Sequence, residues 1–284
     1  MNAIRSLIKQ SPLVTFFLLV LILPWIGGPL SDWIYNGTIL SIVFALPLAC
    51  LVASPLIAAL VVTGVTEGKA GVKRLLGQFT RWRVGLRWYA VALLLPPAIY
   101  LSAIYVNVLL GAPAPSMAQF GSWSTLLITF ALRLVNPFDG PMMEELGWRG
   151  FAQPRLQVRF SPLVANLILG AVVVLWHLRY LPGGDYAWIY VPATLAFTFI
   201  AGWLYHRTGG SLLLALLLHV TDGLIRPQGL GFVGGAAARM MWLPVVVYVA
   251  VAMGLLVISW RWWTGREESN TVRQHTALKS VAIN

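Results

Sequence analysis

Long apolar segments alternate with short polar ones along most of the chain. A helix that crosses a bilayer needs roughly 20 mostly apolar residues. By this measure the pattern predicts eight membrane-spanning helices. They cover residues 11–27, 38–64, 88–110, 121–136, 161–179, 187–205, 211–226 and 240–260. The sequence therefore predicts an all-α, polytopic membrane protein.

The composition supports this fold class. Of the 284 residues, 58% are hydrophobic and 10% are charged, and the mean hydropathy is +0.78. A soluble domain carries about 25% charged residues. The net charge of +11 does not indicate a nucleic-acid partner, because the basic residues lie between apolar segments rather than on one soluble face. The lipid bilayer is the expected partner.

The basic residues also predict how the chain is oriented. Lysine and arginine are frequent in residues 65–87, in residues 149–160 and after residue 260, and they are absent from residues 28–37 and 111–120. Cytoplasmic loops carry an excess of both residue types. Because the predicted number of spans is even, both termini are expected in the cytoplasm.

The N-terminal segment has basic residues followed by an apolar run, without an Ala-x-Ala-like cleavage site. It is therefore interpreted as an uncleaved first span rather than a signal peptide. The single cysteine, Cys50, lies in an apolar segment, so no intramolecular disulfide can form. We expect a multi-pass protein of a prokaryotic plasma (inner) membrane.

The stretch PFDGPMMEELGWRGF, residues 137–151, departs most from the apolar pattern. It contains three of the nine acidic residues of the chain, Asp139, Glu144 and Glu145. Pro137 is predicted to end the fourth span, and a new helix is predicted to begin at Pro141, where a missing N–H has no consequence.

The spacing within that new helix separates the roles of the two adjacent carboxylates. Glu145 and Arg149 are four residues apart on one face, so we expect them to pair. Glu144 lies about 100° around the helix from Glu145. It therefore needs a different partner.

Two histidines in otherwise apolar helices are the expected partners of Glu144. His177 lies near the end of LILGAVVVLWHLRY, and His219 lies in SLLLALLLHVTDG, with Asp222 one turn further along the same face. Ionisable groups at membrane depth usually face a cavity or each other. Two imidazoles and two carboxylates can bind a divalent metal, for which zinc is well suited, or polarise a water molecule. Arg133 and Arg179 are further ionisable candidates at this depth.

Three short motifs, in this order, resemble the CAAX protease and bacteriocin-processing (CPBP, or Abi) family of intramembrane proteases. EELGWR at 144–149 fits its EExxxR motif, WHL at 176–178 resembles its second motif, and YHRTGGSLLLALLLHVTD at 205–222 resembles its third. The resemblance implies four regions. They are three N-terminal helices (1–120), a protease core (121–226), a last helix (227–264) and a flexible polar tail (265–284).

The resemblance also implies an endopeptidase that acts on a peptide or protein substrate, which can be membrane-associated. It implies that Glu144 is the general base that activates a water molecule, and that His177 and His219 position the water or a metal and stabilise the oxyanion. Glu145 and Arg149 are implied as structural or substrate-orienting residues. If a metal is bound, the expected ligands are Glu144, His177, His219 and Asp222. A metal-free mechanism would need the same side chains.

Two positions depart from the family pattern. The second motif usually has a phenylalanine four residues before its histidine, where this chain has Val173. The third usually has Asn or Asp four residues after its histidine, where this chain has Gly223. We expect Asp222 to substitute, as the hydrogen-bonding partner that fixes the ring of His219.

Helix geometry places the two histidines at different depths. His177 is about 24 Å along the fifth span and His219 about 12 Å along the seventh. Both can reach Glu144 only if helices are broken, tilted or short.

Two other functions are compatible with the same residues. A catalytically inactive family member could bind a partner or confer immunity, and the two departures keep this alternative open. A transporter could use the ionisable residues as an ion path, but the chain lacks an internal repeat of the kind that many transporters show.

Overall fold

A computed structural model describes residues 2–35, 53–136, 140–178 and 188–266, and all regular elements in these ranges are helical. The all-α prediction is confirmed. The helices are α1 (Asn2–Gln10), α2 (Pro12–Tyr35), α3 (Ser54–Leu76), α4 (Leu86–Leu109), α5 (Trp123–Val135), α6 (Pro141–Glu145), α7 (Gln153–Gln157), α8 (Pro162–His177), α9 (Val191–Arg207), α10 (Leu212–Asp222), α11 (Gly234–Ile258) and α12 (Trp260–Trp263). A π-helical turn, Leu146–Ala152, joins α6 to α7.

Four helical segments within the described ranges are long and apolar enough to cross a bilayer. They are Ser54–Thr80, Leu86–Leu109, Trp188–Arg207 and Gly234–Ile258. The pair α1 and α2, bent by 108°, gives a fifth if it forms one broken span. The chain is therefore a membrane protein by the length and composition of its helices.

The prediction of eight full-length spans is not confirmed. The segments predicted as spans at 121–136, 161–179 and 211–226 contain helices of only 13, 16 and 11 residues. In the last of these segments the apolar residues Leu224 and Ile225 follow the end of the helix, so hydropathy alone overestimates its length. The predicted second span begins at residue 38, and its first part lies outside the described residues.

The chain breaks between α5 and α6, as the prolines predict. Helix α5 ends at Val135, and α6 begins with Pro141 in its first turn. Gly140 precedes it with a φ of 89°, a conformation that L side chains rarely adopt. This turn directs the following residues, including both glutamates, into the interior.

Helix α10 lies at the centre of the bundle. The hydroxyl of Ser211 caps its first turn by accepting from the amide of Leu214. The side chains of Leu212, Leu214 and Leu218 have no exposed surface. The helix packs against α4, α5, α6 and α9. Because apolar transfer drives little helix association inside a membrane, this close packing is what holds α10 in place.

The predicted basic loops meet at one end of the bundle. Arg81 donates to the carbonyl of Gly209 at 2.8 Å, and Arg155 pairs with Glu67. The end of α11 joins them, because the indole of Trp203 donates to the hydroxyl of Ser259 at 3.1 Å. The three basic regions therefore share one end of the molecule.

The π-helical turn lies directly against α3. At Gly147 the two backbones approach so closely that an added Cβ would lie 2.5 Å from Pro55 Cβ and 2.6 Å from its carbonyl oxygen. Only glycine allows this approach. The contact fixes the position of the turn, and with it the two preceding glutamates.

We predict that Gly147→Ala lowers the thermal unfolding temperature of the protein in detergent, because its Cβ would force two backbones apart. Overpacking of this kind costs about 1–3 kcal/mol. The matched control is Gly64→Ala in α3, where the added Cβ would meet only Val72 Cγ2 at an ordinary 3.9 Å. Equal unfolding temperatures for the two variants would contradict the close contact.

Candidate functional site

A cavity of about 480 Å³ lies among the helices that surround α10. Five of the six predicted site residues line it, namely Glu144, Arg149, His177, His219 and Asp222. Much of the remaining wall is apolar, formed by Val173, Ala193, Phe197, Ile225, Met240, Pro244 and Val245. The fold thus brings residues from three motifs, distant in sequence, to one cavity with a polar and an apolar side.

Glu145 lies fully buried beside this cavity and joins two of its walls. Its Oε1 atom accepts from Arg149 Nη1 at 3.0 Å and from His219 Nδ1 at 2.8 Å. The predicted pairing of Glu145 with Arg149 is confirmed. The guanidinium also lies over the ring of Phe197, 5.5 Å from its centre. Glu145 therefore connects the π-helical turn to α10.

The expected hydrogen bond between His219 and Asp222 is wrong. His219 Nδ1 bonds to Glu145, and the Asp222 carboxylate instead accepts from the hydroxyl of Tyr248 in α11. The expectation considered acids on the same helix, whereas the actual partner comes from α6. Asp222 still lies in the cavity, within electrostatic range of His219.

Glu144 is the carboxylate that reaches the cavity wall. It is 7% exposed, and its Oε2 atom accepts from the indole N–H of Trp148 at 3.4 Å. Trp148 lies four residues further along the chain and was not identified as a site residue from the sequence. The separation of roles between the two glutamates is as expected. Glu145 forms a buried ion pair, and Glu144 lines the cavity.

The hydrogen bonds of the two histidines determine their tautomers. His177 Nδ1 lies 2.8 Å from the carbonyl oxygen of Val173, and His219 Nδ1 contacts a carboxylate. Both partners can only accept, so each Nδ1 carries the hydrogen, and Nε2 of a neutral ring is the acceptor. The departure at Val173 does not disturb this bond, because a backbone carbonyl makes it.

The expected mismatch in depth does not keep the two histidines apart, since both line the same cavity. His177 is the last residue of α8, and His219 lies in the last turn of α10. With 16 and 11 residues, these helices end about 24 Å and 16 Å from their starts. Both histidines consequently lie at the cavity end of their helices.

The predicted metal ligands are not gathered as a metal site. Within the described ranges, no three His, Cys, Asp or Glu side chains are arranged to hold a metal ion. Both Nδ1 atoms and the Asp222 carboxylate are engaged by other groups. Zinc binding therefore stays a prediction.

Several cavity residues were not identified from the sequence. Tyr100 and Tyr248 line the wall beside Asp222, with ring centres 6.1 Å apart. Their only signal was a hydroxyl in an otherwise apolar helix, which is a weak one. Arg133, a sequence candidate, also lines the cavity. Arg179 lies outside the described residues.

Comparison with known proteins points to the same region of the chain. Residues 122–224 match the family described as Type II CAAX prenyl endopeptidase Rce1-like. The CAAX prenyl protease 2 of Methanococcus maripaludis is 36% identical over 99 residues, which are 33% of this chain and 34% of that protein. The alignment therefore spans about a third of the relative. Every predicted site residue lies within the range that matches the family. Residues 122–224 are therefore similar to the Rce1-like CAAX prenyl endopeptidases, in agreement with the family that the three motifs indicate.

Proposed function

We propose that this protein is an intramembrane endopeptidase that hydrolyses a peptide bond with a water molecule activated by Glu144. The observation that carries the proposal is the meeting of the Glu144 carboxylate with two imidazoles in a single cavity among apolar helices. The similarity to a CAAX prenyl protease supports a peptide or protein substrate.

Glu144 acts as the general base. It lines the cavity, and the internal ion pair is made by its neighbour Glu145, so its carboxylate is available to a water molecule. As the water oxygen attacks the scissile carbonyl carbon, Glu144 accepts a proton from the water. General bases of this kind typically contribute about 10²–10⁴ to the rate.

The histidines act on the carbonyl oxygen. The attack moves an electron pair onto that oxygen, and imidazoles beside it stabilise the resulting oxyanion by donating from Nε2 when protonated. When the intermediate collapses, the C–N bond breaks and Glu144 returns its proton to the leaving amine. His219 is held for this role by Glu145, and His177 by the carbonyl of Val173.

No step of this mechanism passes through a metal, because the described donors are not gathered as a metal site. A divalent ion, where bound, would supply Lewis-acid polarisation of the carbonyl. We place Asp222 in the cavity wall with Tyr248, where its charge acts on His219 from a distance.

We further propose that the protein lies in a prokaryotic plasma (inner) membrane as a multi-pass protein. The spanning-length helices and the shared basic end support this placement. Basic residues favour the cytoplasmic side.

We predict that Glu144→Gln lowers the rate of peptide cleavage by about 10²- to 10⁴-fold, since the amide keeps the side-chain volume but accepts no proton. The assay uses the full chain in detergent with a prenylated CAAX peptide, alongside the same peptide without the prenyl group. The unfolding temperature should stay at the wild-type value. Cleavage at the wild-type rate would exclude Glu144 as the base, and an inactive wild-type protein would favour the inactive-member alternative.

We predict that Glu145→Ala destabilises the protein far more than Glu144→Ala. Removing Glu145 leaves the buried guanidinium of Arg149 without its partner, and breaking a buried pair costs about 3–5 kcal/mol. Thermal unfolding of the two variants in the same detergent is the measurement. Similar unfolding temperatures for both would contradict the importance of the ion pair.

We predict that the purified protein retains its cleavage rate after exhaustive chelation. The physical reason is that the proposed steps use only Glu144 as the base and the two imidazoles as donors to the oxyanion. Elemental analysis accompanies the assay. Near-stoichiometric zinc that is lost in both His177→Ala and His219→Ala, together with activity lost on chelation, would establish the metal-dependent route instead.

A further inference from the structure

The C-terminal end of α10 is capped by an arginine from a neighbouring helix. Arg133 in α5 donates from Nε to the carbonyl oxygen of Val220 at 3.0 Å. The last carbonyls of a helix lack intrahelical donors. Here the next two amides, of Gly223 and Leu224, both donate to Thr221 instead. The guanidinium thus satisfies a carbonyl at the negative end of the helix dipole.

Gly223 leaves the space that the guanidinium fills. A Cβ added at Gly223 would lie 2.3 Å from both Cζ and Nη1 of Arg133, and 2.6 Å from Nη2. The φ of Gly223 is −97°, which any residue adopts. Glycine is therefore required here for space and not for backbone conformation. This gives the departure of position 223 from the family pattern a physical cause.

The capped turn is the one that carries the site. His219 directly precedes the capped residue Val220, and Asp222 is the last residue of the helix. Arg133 and Gly223 line the same cavity as these two side chains. Arg133 also lies within electrostatic range of Asp222. A loosened last turn would move the ring of His219 relative to Glu145.

We propose that Arg133 is a positioning residue. Its guanidinium fills the space that a side chain at position 223 would otherwise occupy. From there it fixes the last turn of α10, and with it the ring of His219. The consequence for catalysis rests on the proposed endopeptidase function. The structural part, that Arg133 and Gly223 form one unit, does not.

The test is a double-variant cycle on the full chain in detergent, with Arg133→Ala, Gly223→Ala and both together. The first readout is hydrogen–deuterium exchange of the amides at 219–224, and the second is kcat and KM for cleavage of the prenylated CAAX peptide. The added Cβ of Gly223→Ala meets only the end of a flexible side chain, so this variant displaces the guanidinium without straining the backbone.

Each single variant is expected to speed exchange at 219–224 by roughly threefold to thirtyfold, the range for loss of a helix cap. The kcat should fall by a similar factor while KM stays within about twofold, because positioning acts on the reaction step more than on binding. The double variant should be no worse than Arg133→Ala alone. Arg133→Lys, which keeps a donor and a charge, should fall between Arg133→Ala and the wild type.

Matched controls separate this role from general damage. Arg239→Ala removes another half-buried arginine, one that donates to Asn107 Oδ1 at 2.8 Å. Gly229→Ala adds a Cβ with nothing within 4 Å, close to Gly223 in the chain. Neither control should change exchange at 219–224. If Arg133→Ala does not fold, Gly223→Ala and Arg133→Lys carry the test.

Two results would overturn the proposal: additive effects in the double variant, or faster exchange without a fall in kcat. If exchange responds as expected but the wild-type protein cleaves no peptide, the endopeptidase function fails while the Arg133–Gly223 unit stands. The two failures are thus distinguishable.

Discussion

A single carboxylate oxygen, Glu145 Oε1, holds the site together. It is fully buried and accepts hydrogen bonds from Arg149, in the π-helical turn, and from His219, in α10. A charge in a medium of low dielectric is tolerated only when it is paired and hydrogen-bonded. The position of α10 relative to the π-helical turn is therefore set by where this oxygen can satisfy both donors. Glu144 is the preceding residue, so its place in the cavity follows.

Three local features fix the positions of the π-helical turn and of α10. The backbone contact at Gly147 fixes the π-helical turn against α3. The turn itself is a type of local helix widening that is frequent at functional sites. The Arg133 cap fixes the far end of α10. Each acts on the backbone of an element that carries a cavity side chain, so the geometry of the site depends on residues that need never touch a substrate.

The sequence predicted those features that depend on local rules. The helix break before Pro141 follows from proline chemistry, and the Glu145–Arg149 pair follows from a spacing of four residues. The meeting of the two histidines with Glu144 in one cavity was expected from their polarity in apolar helices and from the resemblance to a family. All three inferences needed only neighbours along the chain or a known pattern.

What the sequence missed depends on tertiary contacts. The partner of His219 comes from another helix, and Tyr248 reaches Asp222 from α11. No spacing rule relates such residues. The prediction of eight full-length spans is not confirmed in the described residues for a different reason. An apolar run has the same composition whether it forms a long spanning helix or a short buried one followed by an apolar turn, as α10 and the residues after it show.

The shortness of α10 has a consequence for hydration. The helix starts at the basic end, next to the contact between Arg81 and Gly210, and its 11 residues extend about 16 Å. This is roughly half of a hydrocarbon core of about 30 Å. Beyond Asp222 the backbone no longer forms α-helical hydrogen bonds. A membrane protein tolerates such backbone only where it is buried in protein or lines a water-filled cavity. Arg226 and Pro227, in this segment, line the cavity. A helix that stops halfway thus leaves room for this cavity, and the proposed hydrolysis needs such a space for the water that it consumes.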